Sequence, residues 1–126
     1  MRILMILSLI ALGAAFDPAL AAPATIAGFW SGSGTISHRG NADAVRCRAR
    51  FTKVGGASFE VSSQCATDTG RYDVSGRVNA SGGNRYSGWV ETNGQRGSVV
   101  IVQSGNRLSV TVTSRRGAGR LSLSRN

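Results

Sequence analysis

The side chains with the chemistry of a catalytic centre are few in this sequence. His38 is the single histidine, and it stands in a polar segment five residues before Asp43. A Ser-His-Asp hydrolase needs such a pair beside an activated serine, but no G-x-S-x-G turn accompanies it. Two cysteines without C-x-x-C spacing and one histidine also do not supply the four ligands of structural zinc. We therefore expect a protein without enzyme activity, metal or cofactor.

The spacing of the two cysteines indicates a defined covalent bond. Two runs of alternating apolar and polar residues meet at the turn formers Gly55-Gly56-Ala57, which predicts a β-hairpin with Cys47 opposite Cys65. Opposed residues at a non-hydrogen-bonded site come close enough to form a disulfide. We predict a Cys47–Cys65 disulfide, and a pair of free thiols is the alternative.

Three arginines alternate with apolar residues in the first strand of this hairpin. Because neighbouring side chains of a strand point to opposite faces, Arg46, Arg48 and Arg50 share one face. Guanidinium groups form paired hydrogen bonds with carboxylates and phosphates, so this face is either a solvated surface or a contact stripe for an anionic ligand. The opposite face is predicted to be core and comprises Val45, Cys47, Ala49 and Phe51, facing Phe59, Val61 and Cys65.

The start of the chain has the order of an export signal. Met1-Arg2 is positively charged, residues 3–15 are apolar, and Ala19-Leu20-Ala21 matches an A-x-A cleavage site. We predict a signal peptide over residues 1–21 and a single β-domain over residues 22–126. The apolar run is shorter than the ~20 residues of a membrane-spanning helix, so we expect no transmembrane segment after cleavage; a retained anchor is the alternative. A periplasmic or secreted location follows, and it suits a disulfide.

The charge of the chain limits its partners. The 126 residues carry a net charge of +9, from 15 Lys and Arg against 6 Asp and Glu. A protein this basic is attracted to polyanions. The export signal disfavours specific nucleic-acid binding. We therefore expect an anionic lipid, lipopolysaccharide or a protein as the partner.

The pattern of short alternating runs and turn formers predicts an all-β fold with almost no helix. Asn93-Gly94 is typical of a type I′ turn and would set Glu91 against Arg96. Antiparallel strands with short links favour closure, because closure removes exposed edges. We predict a small antiparallel up-and-down barrel of about eight strands, with a two-sheet β-sandwich as the alternative. The candidate strands are Gly28 to Ser37, Ala44 to Lys53, Ser58 to Ala66, Arg71 to Val78, Arg85 to Glu91, Ser98 to Gln103, Arg107 to Thr113 and Arg120 to Ser124.

The alternation also predicts which residues face the barrel interior. Eight short strands enclose a space that side chains can fill, so the interior is either packed or hollow. Trp89 alternates with polar neighbours, which leaves both a buried and an exposed position open for it. The residues expected inside are Phe51, Phe59, Val61, Tyr72, Val74, Val100, Val102, Leu108, Val110, Val112, Leu121 and Leu123.

The segment Gly28-Phe29-Trp30 resembles the G-x-W motif of the calycin superfamily, the lipocalins and their relatives. The resemblance implies structural roles for Gly28 and Trp30, with the tryptophan closing the base of the barrel. It also implies that an arginine of the last strand, Arg120 or Arg125, packs over the ring. Calycin-like bacterial inhibitors of secreted metalloproteases are similar in mature length, export and single disulfide. Residues 22–27 would then correspond to the segment that enters the protease.

An ordered set of motifs resembles a family of small exported proteobacterial proteins without an assigned biochemical function. The set consists of W-S-G-S-G-T from Trp30, R-C-R-A from Arg46, a match to Q-x-C-A at Gln64 to Ala66, and S-G-W-x-E from Ser87. The Q-x-C-A match lacks the residue x, since Gln64 is followed directly by Cys65. This resemblance implies an exported β-domain with one disulfide and no activity. Two hypotheses for the function remain. The first is a non-enzymatic envelope protein that binds an apolar or anionic ligand, and the alternative is a calycin-like protease-inhibitor module.

Overall fold

Eight β-strands and no helix make up the part of the chain that the computed structural model describes, residues 25–126. The predicted signal peptide, residues 1–21, lies outside the described residues. All eight predicted strands are present, and each is longer than predicted because the connecting turns are very short. The strands are β1 (Gly28–His38), β2 (Asn41–Gly55), β3 (Ser58–Thr67), β4 (Gly70–Gly82), β5 (Arg85–Thr92), β6 (Gln95–Ser104), β7 (Arg107–Ser114) and β8 (Gly117–Arg125).

The strands form a closed antiparallel barrel in sequence order. Each strand pairs with the next along the chain, and β8 returns to pair with β1 from Trp30↔Arg125 to Ser37↔Ala118. Closure leaves no strand of this barrel with an unpaired edge, which is the physical advantage of the arrangement. The predicted up-and-down barrel is therefore confirmed, and the two-sheet sandwich is wrong.

Close contact between β1 and β8 depends on two glycines. A Cβ atom at Gly32 would overlap the carbonyl oxygen of Ser122, and one at Gly34 would overlap that of Arg120. Glycines inside a strand permit this approach of one backbone to another and let a sheet curve into a barrel. The G-x-G pair in β1 thus helps to close the barrel.

The turn between β5 and β6 is built as the sequence indicates. Asn93 and Gly94 have positive φ values of 50° and 77°, as a type I′ turn requires. Glu91 pairs with Arg96 across the hairpin, and their side chains form an ion pair of 3.2 Å. This predicted register is confirmed.

The inward face of β6 differs from the prediction. Val100 and Val102 were expected inside, but they are half-buried on the outer face, whereas Val99 and Ile101 are buried inside. The segment is continuously apolar, so its own alternation does not distinguish the two faces. Pairing decides between them, because Ile101 lies opposite Tyr86, whose ring is buried in the barrel.

The two ends of the barrel are formed by different turns. We call one end the base; it contains residues 25–27 and the turns β2–β3, β4–β5 and β6–β7. The other end, the mouth, contains the turns β1–β2, β3–β4, β5–β6 and β7–β8. The largest fully buried side chains occupy the base half of the barrel: Trp30, Ile26, Ile101, Leu108 and Val78.

Candidate functional site

The interior of the barrel holds a cavity of about 290 Å³ that opens at the mouth. Whether the interior is packed or hollow was left open by the sequence, and the structure has both: a packed base and a hollow upper part. The volume is at the lower end of the range of small-molecule sites, roughly 300–1,000 Å³. Every strand contributes to the apolar wall, which includes Ile36, Val45, Ala49, Val61, Tyr72, Val74, Val90, Val99, Val110, Val112 and Leu121.

The floor of the cavity is the top of the packed base. Phe51, Ile101 and Leu123 line the cavity and also belong to the main hydrophobic cluster, which includes Trp30. Phe59 supports this layer through an edge-to-face contact with Tyr86, at 5.6 Å between ring centroids. A ligand in the cavity would therefore rest on a close-packed apolar layer.

Trp30 and Arg125 close the base. Trp30 is fully buried, and its Nε1 donates a hydrogen bond of 2.9 Å to the carbonyl oxygen of Ile26. The guanidinium of Arg125 lies over the indole ring, 4.2 Å from its centroid. Its nitrogen atoms donate to the carbonyl oxygens of Ala27 and Thr25 at 2.9 and 2.6 Å. Of the two arginines that the calycin resemblance offers, Arg125 thus occupies the position over the ring.

Gly28 lets the chain enter the barrel beneath Trp30 and the Arg125 guanidinium that lies over its ring. Its φ of +122° belongs to a region that side chains other than glycine rarely adopt. A Cβ atom there would also lie 3.2 Å from Nη1 of Arg125. The glycine of G-x-W therefore provides both the backbone conformation and the space that the arginine needs.

The Cys47–Cys65 disulfide forms part of the cavity wall. The two residues lie opposite each other on β2 and β3, and their sulfur atoms are bonded, so the predicted pairing is confirmed. Both residues are buried and line the cavity. The neighbouring Ser63 hydroxyl donates to the carbonyl oxygen of Arg48 at 3.0 Å, which satisfies its hydrogen-bonding group within the wall. The bond is typical of an oxidising compartment.

Polar residues reach the cavity only near the mouth and in the upper wall. His38, the last residue of β1, and Arg116, in the β7–β8 turn, border it there. His38 Nε2 lies 3.4 Å from Oδ2 of Asp43, and both side chains are about half exposed. The two candidate acid-base residues are thus brought together, at the rim. Sequence reasoning did not single out Arg116; its signal was the Arg115-Arg116 pair between the last two predicted strands.

Tyr72 places a phenol in the upper wall of the cavity. Its side chain is half-buried and packs against the cluster that contains the disulfide. Burial raises the pKa of the Tyr72 phenol above its ordinary value of 10.0, because the anion would lose solvation. The group is therefore a neutral hydroxyl near physiological pH.

The arginines predicted to contact anions lie outside the cavity. Arg46, Arg48 and Arg50 are exposed on the outer face of β2, so the sheet separates them from the cavity. Arg46 and Arg48 border a surface groove of about 710 Å³ together with Arg71 of β4. Arg50 instead lies over the ring of Phe29, at 5.3 Å. The three ion pairs found within residues 25–126 do not include any of these arginines.

Trp89 lies on the outer face of β5. Its side chain is 37% exposed, and the guanidinium of Arg96 stacks on the ring at 4.0 Å from the centroid. The residue therefore belongs to the surface and takes no part in the cavity.

Residues 25–126 contain no group of three or more His, Cys, Asp or Glu side chains placed to hold a metal ion. Over the same residues, no helix has the length and apolar character needed to cross a membrane.

Comparison with known proteins identifies the fold. No family model and no curated protein matches the chain. A de novo designed fluorescence-activating β-barrel is 13% identical with a TM-score of 0.64, over 79% of this chain and 93% of that one. The redesigned β-barrel mFAP1, solved bound to DFHBI, is 11% identical with a TM-score of 0.66, over 80% and 94%. EF1p2_mFAP2b, also bound to DFHBI, is 10% identical with a TM-score of 0.68, over 80% and 94%. At these identities the likeness shows a common barrel fold.

Proposed function

We propose that this protein is a non-enzymatic exported protein that binds a small apolar ligand of the cell envelope inside its barrel. The observation that carries the proposal is the apolar cavity of about 290 Å³, open at the mouth above a packed base. Atoms that line a void lack contact partners on one side, so an unfilled apolar cavity lowers stability. A ligand restores those contacts and removes its own apolar surface from water, which favours binding by about 25 cal/mol per Å² buried.

The rigidity of the site supports the same function. The disulfide joins two adjacent wall strands, and the closed hydrogen-bond ladder holds all eight strands in place. A preformed cavity avoids the cost of ordering loops when the ligand enters. Barrels of the same fold have been solved with the small molecule DFHBI bound, which supports binding of a small molecule here.

Binding without catalysis is supported by the state of the polar groups around the cavity. The hydroxyl of Ser63 donates to the backbone, and that of Ser114 donates to the carbonyl oxygen of Gly117 at 3.3 Å. A serine nucleophile must instead donate to a general base. His38 interacts with Asp43 at the rim of the cavity, where both side chains are about half exposed.

The protease-inhibitor hypothesis has less support. Residues 22–24 lie outside the described residues, whereas Thr25 and Ala27 are held at the base by hydrogen bonds from Arg125. Ile26 is fully buried. Residues 25–27 are thus part of the barrel, so an inserting segment would have to precede them. We therefore place ligand binding first.

The outer face of β2 that carries Arg46, Arg48 and Arg50, here called the arginine face, is a second candidate binding site. Arg46 and Arg48 border a groove, and none of the three arginines takes part in an ion pair within residues 25–126. We propose that Arg46, Arg48 and Arg50 contact anionic envelope lipids. The test is sedimentation with phosphatidylglycerol vesicles after replacing all three arginines with Gln. We expect binding to weaken at least tenfold, and to fall with salt as screening increases.

A matched control separates this surface from the general charge of the protein. It replaces three exposed arginines of other strands with Gln, which lowers the net charge equally: Arg85, Arg107 and Arg120. Equal loss of vesicle binding in both triple variants would show that net charge alone is responsible and would reject the arginine face as a site.

The cavity is tested by native mass spectrometry of the protein isolated without reductant, before and after exposure to an organic extract of the producing cells' envelope. Val112 lines the cavity, and Val112→Phe would fill part of it. Val100→Phe is the matched control on the outer face of the adjacent strand. We expect a small-molecule adduct on the wild type and on Val100→Phe, and none on Val112→Phe. A wild type that takes up no adduct would overturn the proposal.

A further inference from the structure

The charges around the mouth are distributed unevenly. Because β1 pairs with β8 up to Ser37↔Ala118, the β1–β2 turn and the β7–β8 turn lie side by side. The first turn carries Arg39, and the second carries Arg115 and Arg116; all three arginines are exposed. One half of the rim is therefore strongly basic.

The turns on the other half of the rim carry no arginine. The β3–β4 turn contains Asp68, and the β5–β6 turn contains Asn93 and Gly94, with no arginine in either turn. The basic half has one acidic residue close by, Asp43, which pairs with His38 at 3.4 Å. The exposed Arg71 and Arg96 lie one residue inside β4 and β6, and Arg96 pairs with Glu91 at 3.2 Å. The arginines of the turns themselves are thus on the side where β1 and β8 meet.

Arg116 is the arginine placed to meet a ligand. It borders the cavity together with His38, whereas Arg39 and Arg115 do not. No carboxylate within the described residues lies within ion-pair distance of it. Gly117 lets the start of β8 approach the end of β1, because a Cβ atom there would overlap the carbonyl oxygen of Ser37 and lie 3.0 Å from the Cβ of His38.

We infer that the ligand is an amphiphile with one acidic headgroup, its apolar body in the cavity and its carboxylate or phosphate held by Arg116 beside His38. This inference rests on the proposed function. A planar guanidinium forms two parallel hydrogen bonds with such a group, and the apolar cavity beneath it reduces screening. A cavity of about 290 Å³ holds on the order of ten non-hydrogen atoms, if each occupies the ~30 Å³ that a water molecule takes in the liquid.

The test compares three probes of equal chain length by isothermal titration calorimetry: decanoate, decyl phosphate and 1-decanol. Each is titrated into the wild type, Arg116→Gln and Arg107→Gln. Arg107 is the control because it is an exposed arginine at a turn of the base, remote from the mouth. Both variants remove the same charge from the surface, so a general electrostatic effect changes them equally.

We expect the wild type and Arg107→Gln to bind an acidic probe at least about tenfold more tightly than 1-decanol. In Arg116→Gln that preference should fall to less than about threefold, with 1-decanol binding unchanged. The stronger of the two acidic probes identifies the headgroup as carboxylate or phosphate. Binding of all three probes with equal affinity, or a preference that survives in Arg116→Gln, would overturn the headgroup site and leave the apolar cavity intact. No binding of any probe would overturn the proposed function itself.

Discussion

The base and the mouth of this barrel are made from the same eight strands, yet one end is packed and the other is hollow. At the base, the inward residues include large ones, such as Trp30, Phe51 and Phe59, which belong to one buried hydrophobic cluster. Toward the mouth, the inward residues are mostly valines such as Val90 and Val112. The strand pairing is regular toward the mouth, whereas the base has one register shift between Lys53 and Gly55 and another between Ala80 and Gly82. The size of the inward side chains therefore accompanies the difference between the filled and the hollow part of the interior.

The comparison implies that stability is concentrated at the base, and Trp30→Ala should have the largest effect. We expect it to lower the free energy of unfolding by about 4 kcal/mol, because it removes a fully buried ring and leaves a void. Val112→Ala at the hollow end should cost only about 1 kcal/mol, since that side chain already borders an empty space. Urea unfolding of both variants measures the difference, and equal losses would contradict the contrast between the two ends.

The disulfide is the strongest restraint near the mouth. Replacing both Cys47 and Cys65 with Ala should lower the free energy of unfolding by about 3 kcal/mol, because the bond closes a loop with a sequence separation of 18. Urea unfolding of the wild type with and without a reductant provides the control, since reduction should reproduce most of the loss. A double variant as stable as the oxidised wild type would show that the barrel ladder alone holds the hollow end.

Arg125 tests how the base is sealed. Arg125→Met should cost about 2 kcal/mol, because it removes two charged hydrogen bonds to the backbone and the stacking on Trp30. Arg120→Met is the matched control on the same strand, where the arginine is exposed, and it should change stability by less than about 0.5 kcal/mol. Thermal unfolding of the two variants ranks them; a larger loss from Arg120→Met would argue against the seal.

Tyr72 gives the smallest effect, and it concerns the hollow end alone. Its folded-state pKa is raised by burial, so above pH 10.0 the unfolded chain releases the phenol proton more readily than the folded chain. Stability from this residue is complete below that pH and decreases as the pH rises through the folded-state pKa. Wild type should therefore lose more stability than Tyr72→Phe as the pH rises from 9 to 11, measured by urea unfolding. Parallel curves for the two proteins would show that Tyr72 is solvated.

Much of the fold follows from local patterns. The alternation around Cys47 and Cys65 predicts the correct faces and the correct register, because a slip of one residue would bury three arginines. Asn93-Gly94 predicts its turn, since both residues tolerate positive φ. The inward face of β6 could not be predicted in the same way, because Val99 to Val102 are all apolar and only the partner strands distinguish their two sides.

The candidate site was less accessible to prediction. The sequence places apolar side chains inside the barrel, but the volume left between them depends on the distance across the barrel. Arg116 stands in a turn with no local signal for a ligand, and it borders the same cavity as His38 because β8 closes onto β1. The stripe of Arg46, Arg48 and Arg50 is prominent in the sequence, yet the sheet separates it from the cavity.

The amino-acid sequence by itself determined the strands, their turns, the disulfide and the closed barrel, because these depend on period-two alternation and on short-range turn geometry. The tertiary structure alone decided that Arg125 rather than Arg120 covers Trp30, that the base is packed while the mouth is hollow, and that His38 and Arg116 share one rim. These features join residues far apart in the chain. Their positions depend on how the first and last strands pair and on how side chains of different size meet across the barrel, and neither is encoded in any local segment.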